Sequence, residues 1–366
     1  MADLRAEKDE DKTCSSKSNI ILECRNLWKV FGHLPKQLTP PTEDKPTSET
    51  IEDISEHDAY PAICDVSLDV RRGEILIIMG LSGSGKSTML RCLARLLEPT
   101  WGEVLYEGQN ILDLSARELT NLRRNKFGMV FQSFGLMDHL NARDNVAFPL
   151  RVQKVPKAER DRRANALLDL VGLEDRKTNF PYELSGGQQQ RVGIARSLIA
   201  DPDLWFLDEP FSALDPLIRR QMQDEFLKLQ KTLGKTIIFV THDFLEAARL
   251  GDRIAIMREG HLIQIGKPRD IILRPKNDYI REFVSEVPTS RILHVSDLSY
   301  AASERIESAP DIHETETLEL AIDLFLSGHE RLNIINDESA FVGTICRDDL
   351  HALTGQNTTE AEPDHV

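Results

Sequence analysis

The chain has 366 residues, 40% of them hydrophobic and 29% charged, which suits two or three globular units and excludes collagen-like or wholly disordered architecture. Its formal net charge of −15 is uneven: residues 288–366 hold 16 Asp and Glu against 4 Arg and no Lys, residues 33–60 hold 7 acids against 2 Lys, and residues 61–287 are close to neutral. That pattern speaks against nucleic acid as the main partner, because binding a phosphate backbone needs clustered Lys and Arg.

No apolar run approaches the roughly 18 residues that a membrane-spanning helix needs. The start, MADLRAEKDEDK, lacks an apolar core for a secretory signal, so the expected location is cytoplasmic. Five scattered cysteines without a C-x-x-C pair read as small buried residues rather than as a disulfide or zinc framework.

In chain order, residues 1–19 are expected to be disordered. Residues 20–31 (IILECRNLWKVF) predict a strand followed by a second short extended piece, and residues 33–60, rich in Pro, Thr and Glu, predict an insertion or mobile loop. Two strands follow at 62–70 and 74–79. The second, EILIIM, is a continuous apolar run of the kind found in parallel strands covered on both faces. A Gly-rich turn then leads into a helix over 87–97. Residues 116–180 are mostly helical and charged, broken by the strand-like FGMVFQSF, which predicts a helical subdomain over about 133–180. Short buried strands return at 204–207 and 236–240, separated by an amphipathic helix over 217–232. The predicted class is therefore α/β with a doubly wound parallel sheet over residues 20–287. The composition changes at Val287 and Pro288, and residues 288–366 are assigned to a small α+β accessory domain with a flexible end.

After the EILIIM strand stands Gly80-Leu81-Ser82-Gly83-Ser84-Gly85-Lys86-Ser87-Thr88, a full match to G-x-x-x-x-G-K-[ST] in strand–loop–helix context. Glycines let backbone N–H groups converge on phosphate oxygens, and the following helix points its positive end at the same charge. In this pattern Lys86 bridges the β- and γ-phosphates and the Ser87 hydroxyl binds Mg2+. The rest of such a site comes from neighbouring strand ends. Leu204-Trp205-Phe206-Leu207-Asp208-Glu209 supplies Asp208 to hold Mg2+ and Glu209 to polarise the attacking water.

A second phosphate-facing helix terminus is signalled by Leu184-Ser185-Gly186-Gly187-Gln188, which lacks the G-K-[ST] ending. With this motif residues 20–287 resemble the ATP-binding subunits of ABC transporters, a P-loop ATPase fold with an inserted helical subdomain. The resemblance assigns Phe31 to stacking on adenine and the loop residues Gly80, Ser82, Gly83, Ser84, Gly85, Lys86, Ser87 and Thr88 to the phosphates. It gives Gln132, Ser87 and Asp208 to Mg2+, and adds the loop Ser212-Ala213-Leu214-Asp215, with Asp215 at the nucleotide, and His242 beside Glu209. Catalysis then falls to Glu209, His242, Gln132 and Lys86. It further implies a head-to-tail dimer with a second copy, in which Ser185, Gly186, Gly187 and Gln188 of one copy complete the ATP site of the other. A membrane permease is implied as partner, with a substrate-binding protein as an indirect one.

The runs GLSGSGKSTMLRCLARLLEPTWGEVL, FQSFGLMDH followed by Asp144-Asn145, and FSALDPLIRRQMQDEFLKLQ resemble the quaternary-amine class, which imports glycine betaine and proline betaine; so does the insertion after Gly32. The tail segment 315–354 reads helix, strand, turn, strand, helix and looks like one cystathionine-β-synthase (CBS) motif where that class often carries two. Other cargoes, such as an amino acid, stay open, since cargo is chosen by subunits outside this chain. A soluble relative acting on DNA or ribosomes fits less well: Lys86 and Ser185 are too close for a long coiled coil between them, and there is one motif set instead of two.

Overall fold

A computed structural model describes residues 19–35, 38–41, 47–132, 135–285, 287–298 and 305–349. Of residues 1–19, expected to be disordered, all but Asn19 lie outside the described residues, Cys14 with them; so do the flexible end at 350–366 and the last helix of the tail motif beyond its first residues, 347–349. The chain divides into two compact units, Met1–Ile265 and Gly266–Val366.

The first unit runs β1 (Ile20–Phe31), α1 (Thr47–Ser55), β2 (Tyr60–Arg71), β3 (Ile75–Met79), α2 (Lys86–Leu93), β4 (Trp101–Tyr106), β5 (Gln109–Asn110), α3 (Ala116–Asn125) and β6 (Phe127–Val130). It continues with α4 (Ala142–Val152), α5 (Lys157–Leu170), α6 (Gly186–Leu198), β7 (Leu204–Asp208), α7 (Pro216–Leu233), β8 (Thr236–Thr241), α8 (Phe244–Leu250), β9 (Arg253–Arg258) and β10 (His261–Gly266). The parallel sheet expected from the buried apolar runs is present, with strand order β10-β9-β3-β8-β7-β6 and parallel pairing from β9 through β6. Every residue of β3, β7 and β8 is buried, which explains why these strands read as unbroken apolar runs instead of alternating ones.

A second sheet, β2-β1-β4-β5, is antiparallel and packs with α2 on the first. Leu22, Ile63 and Val66 meet Leu76, Ile78, Phe206 and Ile238 in one core. In place of the expected strand and separate extended piece, β1 is a single strand of 12 residues carrying irregular register. The interruption is at Asn26, whose φ of +46° is accommodated by a hydrogen bond from its N–H to Ser67 Oγ and one from its side-chain amide to Asp65. Burial pushes the thiols of Cys24, Cys64 and Cys92 up to about 12, so these cysteines act as small apolar residues.

The insertion is not all loop. It holds α1, whose Ile54 is fully buried against Trp28, Val30 and Cys64 in a small core of its own. Between β6 and β7, helices α4, α5 and α6 pack through Val146, Leu150, Leu168, Val192 and Ala195. Asn145, fully buried, ties the approach to α4: its carbonyl accepts from Met137 N–H, and its amide donates to the carbonyls of Met137, Leu140 and Asn141.

The second unit contains α9 (Pro268–Leu273), α10 (Asp278–Ser285), β11 (Asp311–His313), α11 (Leu318–Leu326), β12 (Arg331–Ile335) and β13 (Phe341–Cys346). Its sheet has the order β11-β12-β13, parallel then antiparallel. It begins at Gly266, not at the expected 288, because Ile272 and Leu273 of α9 pack on the core made by Leu293, Leu318, Phe325, Leu332 and Ile345. The change in composition near Pro288 marks a change in charge, whereas packing marks the unit.

Candidate functional site

The phosphate loop joins the buried end of β3 to α2. Gly85 caps α2 with φ +98°, and a Cβ there would lie 2.4 Å from the Ala62 carbonyl oxygen, so only glycine lets the chain turn at this point. The loop opens into a cleft of about 670 Å³ lined by Phe31, Tyr60, Ala62, Leu81, Ser82, Gly83, Gly85, Lys86, Ser87, Thr88, Glu209 and His242. Residues from five distant stretches of sequence thus converge: the loop, Glu209 and His242 because β3, β8 and β7 lie side by side and end at the same edge of the sheet, and Phe31 and Tyr60 through the pairing of β1 with β2.

Two loop residues expected at the phosphates do not line the cleft. Gly80 lies against the Met257 carbonyl, and Ser84 is buried, its N–H donating to Leu81 O and its carbonyl accepting from Gly260 N–H. Ser84 therefore shapes the loop from behind. Lys86 is buried, and its ammonium donates to the carbonyls of Gly80 and Leu81 at 3.0 Å each. Burial lowers its pKa, opposed by the charges of Glu209 and Asp208. An ammonium has three donors, so one is left for an oxygen of a ligand.

Ser87 Oγ donates to Asp208 Oδ1 at 2.7 Å, and the other oxygen of that buried carboxylate takes Arg91 Nη2 at 3.3 Å. Among the described residues there is no cluster of three carboxylate, imidazole or thiol groups fit to hold a metal by itself. A hydroxyl and a carboxylate 2.7 Å apart beside a phosphate cradle are nevertheless the hard oxygen donors that suit Mg2+, which draws its remaining ligands from phosphate and water.

Glu209 follows directly after β7. Its backbone takes φ +45°, unusual for a side chain of this size, and its N–H donates to Val240 O at 3.1 Å, tying it to β8. Its carboxylate is 3.4 Å from His242 Nδ1, across the ends of the two strands. Gln132 reaches this region indirectly: its amide donates to Ser212 Oγ at 3.4 Å, and Ser212 Oγ donates to Glu209 O at 2.9 Å. Asp215 is used as the N-cap of α7, accepting from Ile218 N–H at 3.1 Å, and is not among the residues lining the cleft.

The second motif forms a separate terminus. Ser185 caps α6, its Oγ accepting from Gln188 N–H while Gln188 Oε1 accepts from Ser185 N–H at 2.9 Å. Gly186 and Gly187 open the helix, and a Cβ on Gly187 would meet Ile218 of α7 at 3.0 Å. Residues 185–188 are absent from the lining of the cleft. Sequence reasoning missed Arg91 and Tyr60. Arg91 stands one helical turn after Ser87, a spacing that puts both on the Asp208 side of α2, so a helical-wheel reading could have found it. Tyr60 comes to the cleft only through the pairing of β1 with β2, a non-local event without a sequence signal.

Residues 63–212 match the ABC transporter family model. The chain is 48% identical over 331 residues to TmoW, the ATP-binding protein of a trimethylamine N-oxide transport system of Ruegeria pomeroyi, covering 89% of this chain and 95% of that protein. It is 43% identical over 344 residues to ProV, the ATP-binding protein of the glycine betaine/proline betaine transport system of Escherichia coli, covering 93% and 85%. Among solved structures it resembles the ATP-binding cassette MJ0796 in a dimeric post-hydrolysis state with ADP and Pi, with a TM-score of 0.57 and 34% identity over 68% of this chain and 99% of that one.

Proposed function

The chain belongs to the ATP-binding subunits of ABC transporters, the ATP hydrolases that drive transport, and from that premise we propose that it powers uptake of a small N-methylated onium solute of the glycine betaine or trimethylamine N-oxide kind. The relatives named for those solutes support the cargo. No described helix is long and apolar enough to cross a membrane, so membrane attachment is assigned to a permease partner, with a substrate-binding protein delivering the solute. The helices α4–α6 are the proposed docking element for that permease. The tail, with its helix–strand–turn–strand order, is proposed as a CBS-like accessory unit.

The observation that carries the mechanism is the separation of the two phosphate-recognition elements. The cleft presents Lys86, Ser87 and loop N–H groups from one side, while the capped terminus of α6 lies elsewhere on the same chain. Two copies arranged head to tail bring the terminus of one to the cleft of the other, closing a cage around the γ-phosphoryl group. Within it Lys86 turns its remaining donor to a phosphate oxygen, and Asp208 with Ser87 would hold Mg2+, which would neutralise charge on the phosphates. Glu209 accepts the proton of the attacking water, and His242 keeps the Glu209 carboxylate turned toward the cleft.

Complementation tests this arrangement. Lys86→Ala and Ser185→Arg chains are each expected to be inactive. Mixed, they should recover ATP turnover, because one dimer site then contains an intact loop and an intact terminus. Specific activity should also fall on dilution. A mixture no more active than its parts, together with wild-type specific activity constant at every dilution, refutes the shared site.

A further inference from the structure

The insertion ends where the cleft begins. In the antiparallel pair of β1 with β2, Phe31, the last residue of β1, stands directly opposite Tyr60, the first of β2. Side chains so paired project from the same face with Cβ atoms about 4.5–5.5 Å apart. Both line the cleft, and both are exposed, Phe31 by 43% and Tyr60 by 57%. Trp28, Trp205, Phe206 and Phe239 of this unit are fully buried, and the exposed Phe131 and Tyr182 are not among the residues lining the cleft. Two adjacent rings left in water at the mouth of a phosphate cleft are a surface for a flat apolar group.

The insertion fixes Tyr60 in that place. Ile54 of α1 is buried in the small core with Trp28, Val30 and Cys64, anchoring the chain shortly before β2. Gly32 has φ +103°, and a Cβ on it would lie 2.9 Å from both Ala59 Cα and Asp58 O, so the chain leaving Phe31 passes against the chain arriving at Tyr60. Lys29, held by Glu98 O, places its ammonium 5.2 Å from the centre of the Phe31 ring and fixes that ring in turn.

We infer that Tyr60 is a second nucleobase-contacting side chain, and that the insertion serves to build, with Phe31, a two-ring platform for the base of the bound nucleoside triphosphate. The inference rests on the ATP-binding reading of the phosphate loop. The test compares ATP with inorganic tripolyphosphate, which offers the phosphates without the base, in direct binding to the full-length chain with Mg2+. Tyr60→Ala should weaken ATP about fivefold to tenfold and leave tripolyphosphate unchanged; Tyr60→Phe should stay within about twofold for both. Gly32→Ala, which displaces residues 58–60, should reproduce the Tyr60→Ala pattern, and Lys86→Ala should lose both ligands. An ATP affinity of Tyr60→Ala within twofold of wild type overturns the inference, as does an equal loss for the two ligands, which would mean a merely structural role. Failure of the wild-type chain to bind either ligand would instead overturn the reading of the phosphate loop.

Discussion

Replacing Glu209 by Gln removes the proton acceptor with almost no change in shape. The side chain keeps its length and its φ of +45° beside β8, so the folded state should be as stable as wild type, within about 0.5 kcal/mol. A positioned general base contributes roughly 100- to 10,000-fold, so the turnover number should fall by that factor, about 2.7–5.5 kcal/mol of barrier. Glu209→Asp gives the intermediate point: it keeps the charge and suits a positive φ at least as well as Glu, but withdraws the carboxylate by about one bond length from its place 3.4 Å from His242. A misplacement of about 1 Å costs on the order of 100-fold. The assay is phosphate release at saturating ATP, with ATP affinity and molecular mass followed in parallel; Glu209→Gln should bind ATP normally and accumulate as an ATP-bound dimer. Near wild-type turnover in Glu209→Gln, with unchanged thermal stability, would refute the general-base assignment.

Asn145→Ala should orphan the Leu140 carbonyl and the Met137 N–H, while the Met137 and Asn141 carbonyls keep the backbone N–H groups of Leu140 and residue 145, destabilising the α4–α6 pack by about 2–4 kcal/mol; hydrogen exchange should rise there first, and uniform exchange across the chain would argue against a local role. Glu246 provides a pH test. Burial holds its carboxyl above the ordinary value in spite of hydrogen bonds from Thr241 and Gln223. The folded state thus holds this proton more tightly than the unfolded one, so Glu246 favours folding below the unfolded pKa, and the benefit is lost as pH rises through the raised folded value. Melting temperatures of Glu246→Gln relative to wild type should increase from pH 4 to pH 7, and a difference independent of pH would remove Glu246 as the source.

What was legible in the sequence was local. The phosphate loop, the strand-end pair Asp208-Glu209 and the capped Ser185 terminus are each defined by residues a few positions apart, whose spacing imposes the turn or cap directly. The continuous apolar runs gave the parallel sheet because strands buried on both faces leave no other pattern. The antiparallel sheet was obscured because the bulge at Asn26 breaks the alternation of β1, making one strand look like two. Helix α1 was masked by the Pro, Thr and Glu content around it, its decisive residue being Ile54, its one fully buried apolar side chain. Tyr60 and the start of the second unit depend on contacts between residues far apart in sequence, which composition does not encode.

The site's groups are largely engaged with one another. Lys86 donates to its own loop, Ser87 to Asp208, Gln132 through Ser212 to Glu209, and the Glu209 carboxylate faces His242. ATP therefore exchanges existing contacts for new ones, as Mg2+ would at Ser87 and Asp208, and the net gain is smaller than a count of phosphate contacts would suggest. Such an exchange also couples the site to its surroundings. Were Ser87 to turn toward a metal ion, one oxygen of Asp208 would be released, while the Gln132–Ser212–Glu209 chain ties the position of the base to the segment that leads into α4–α6. A ligand moves an equilibrium only by the difference in its affinity for the two states, and contacts exchanged in this way supply that difference at the elements a permease partner would sense.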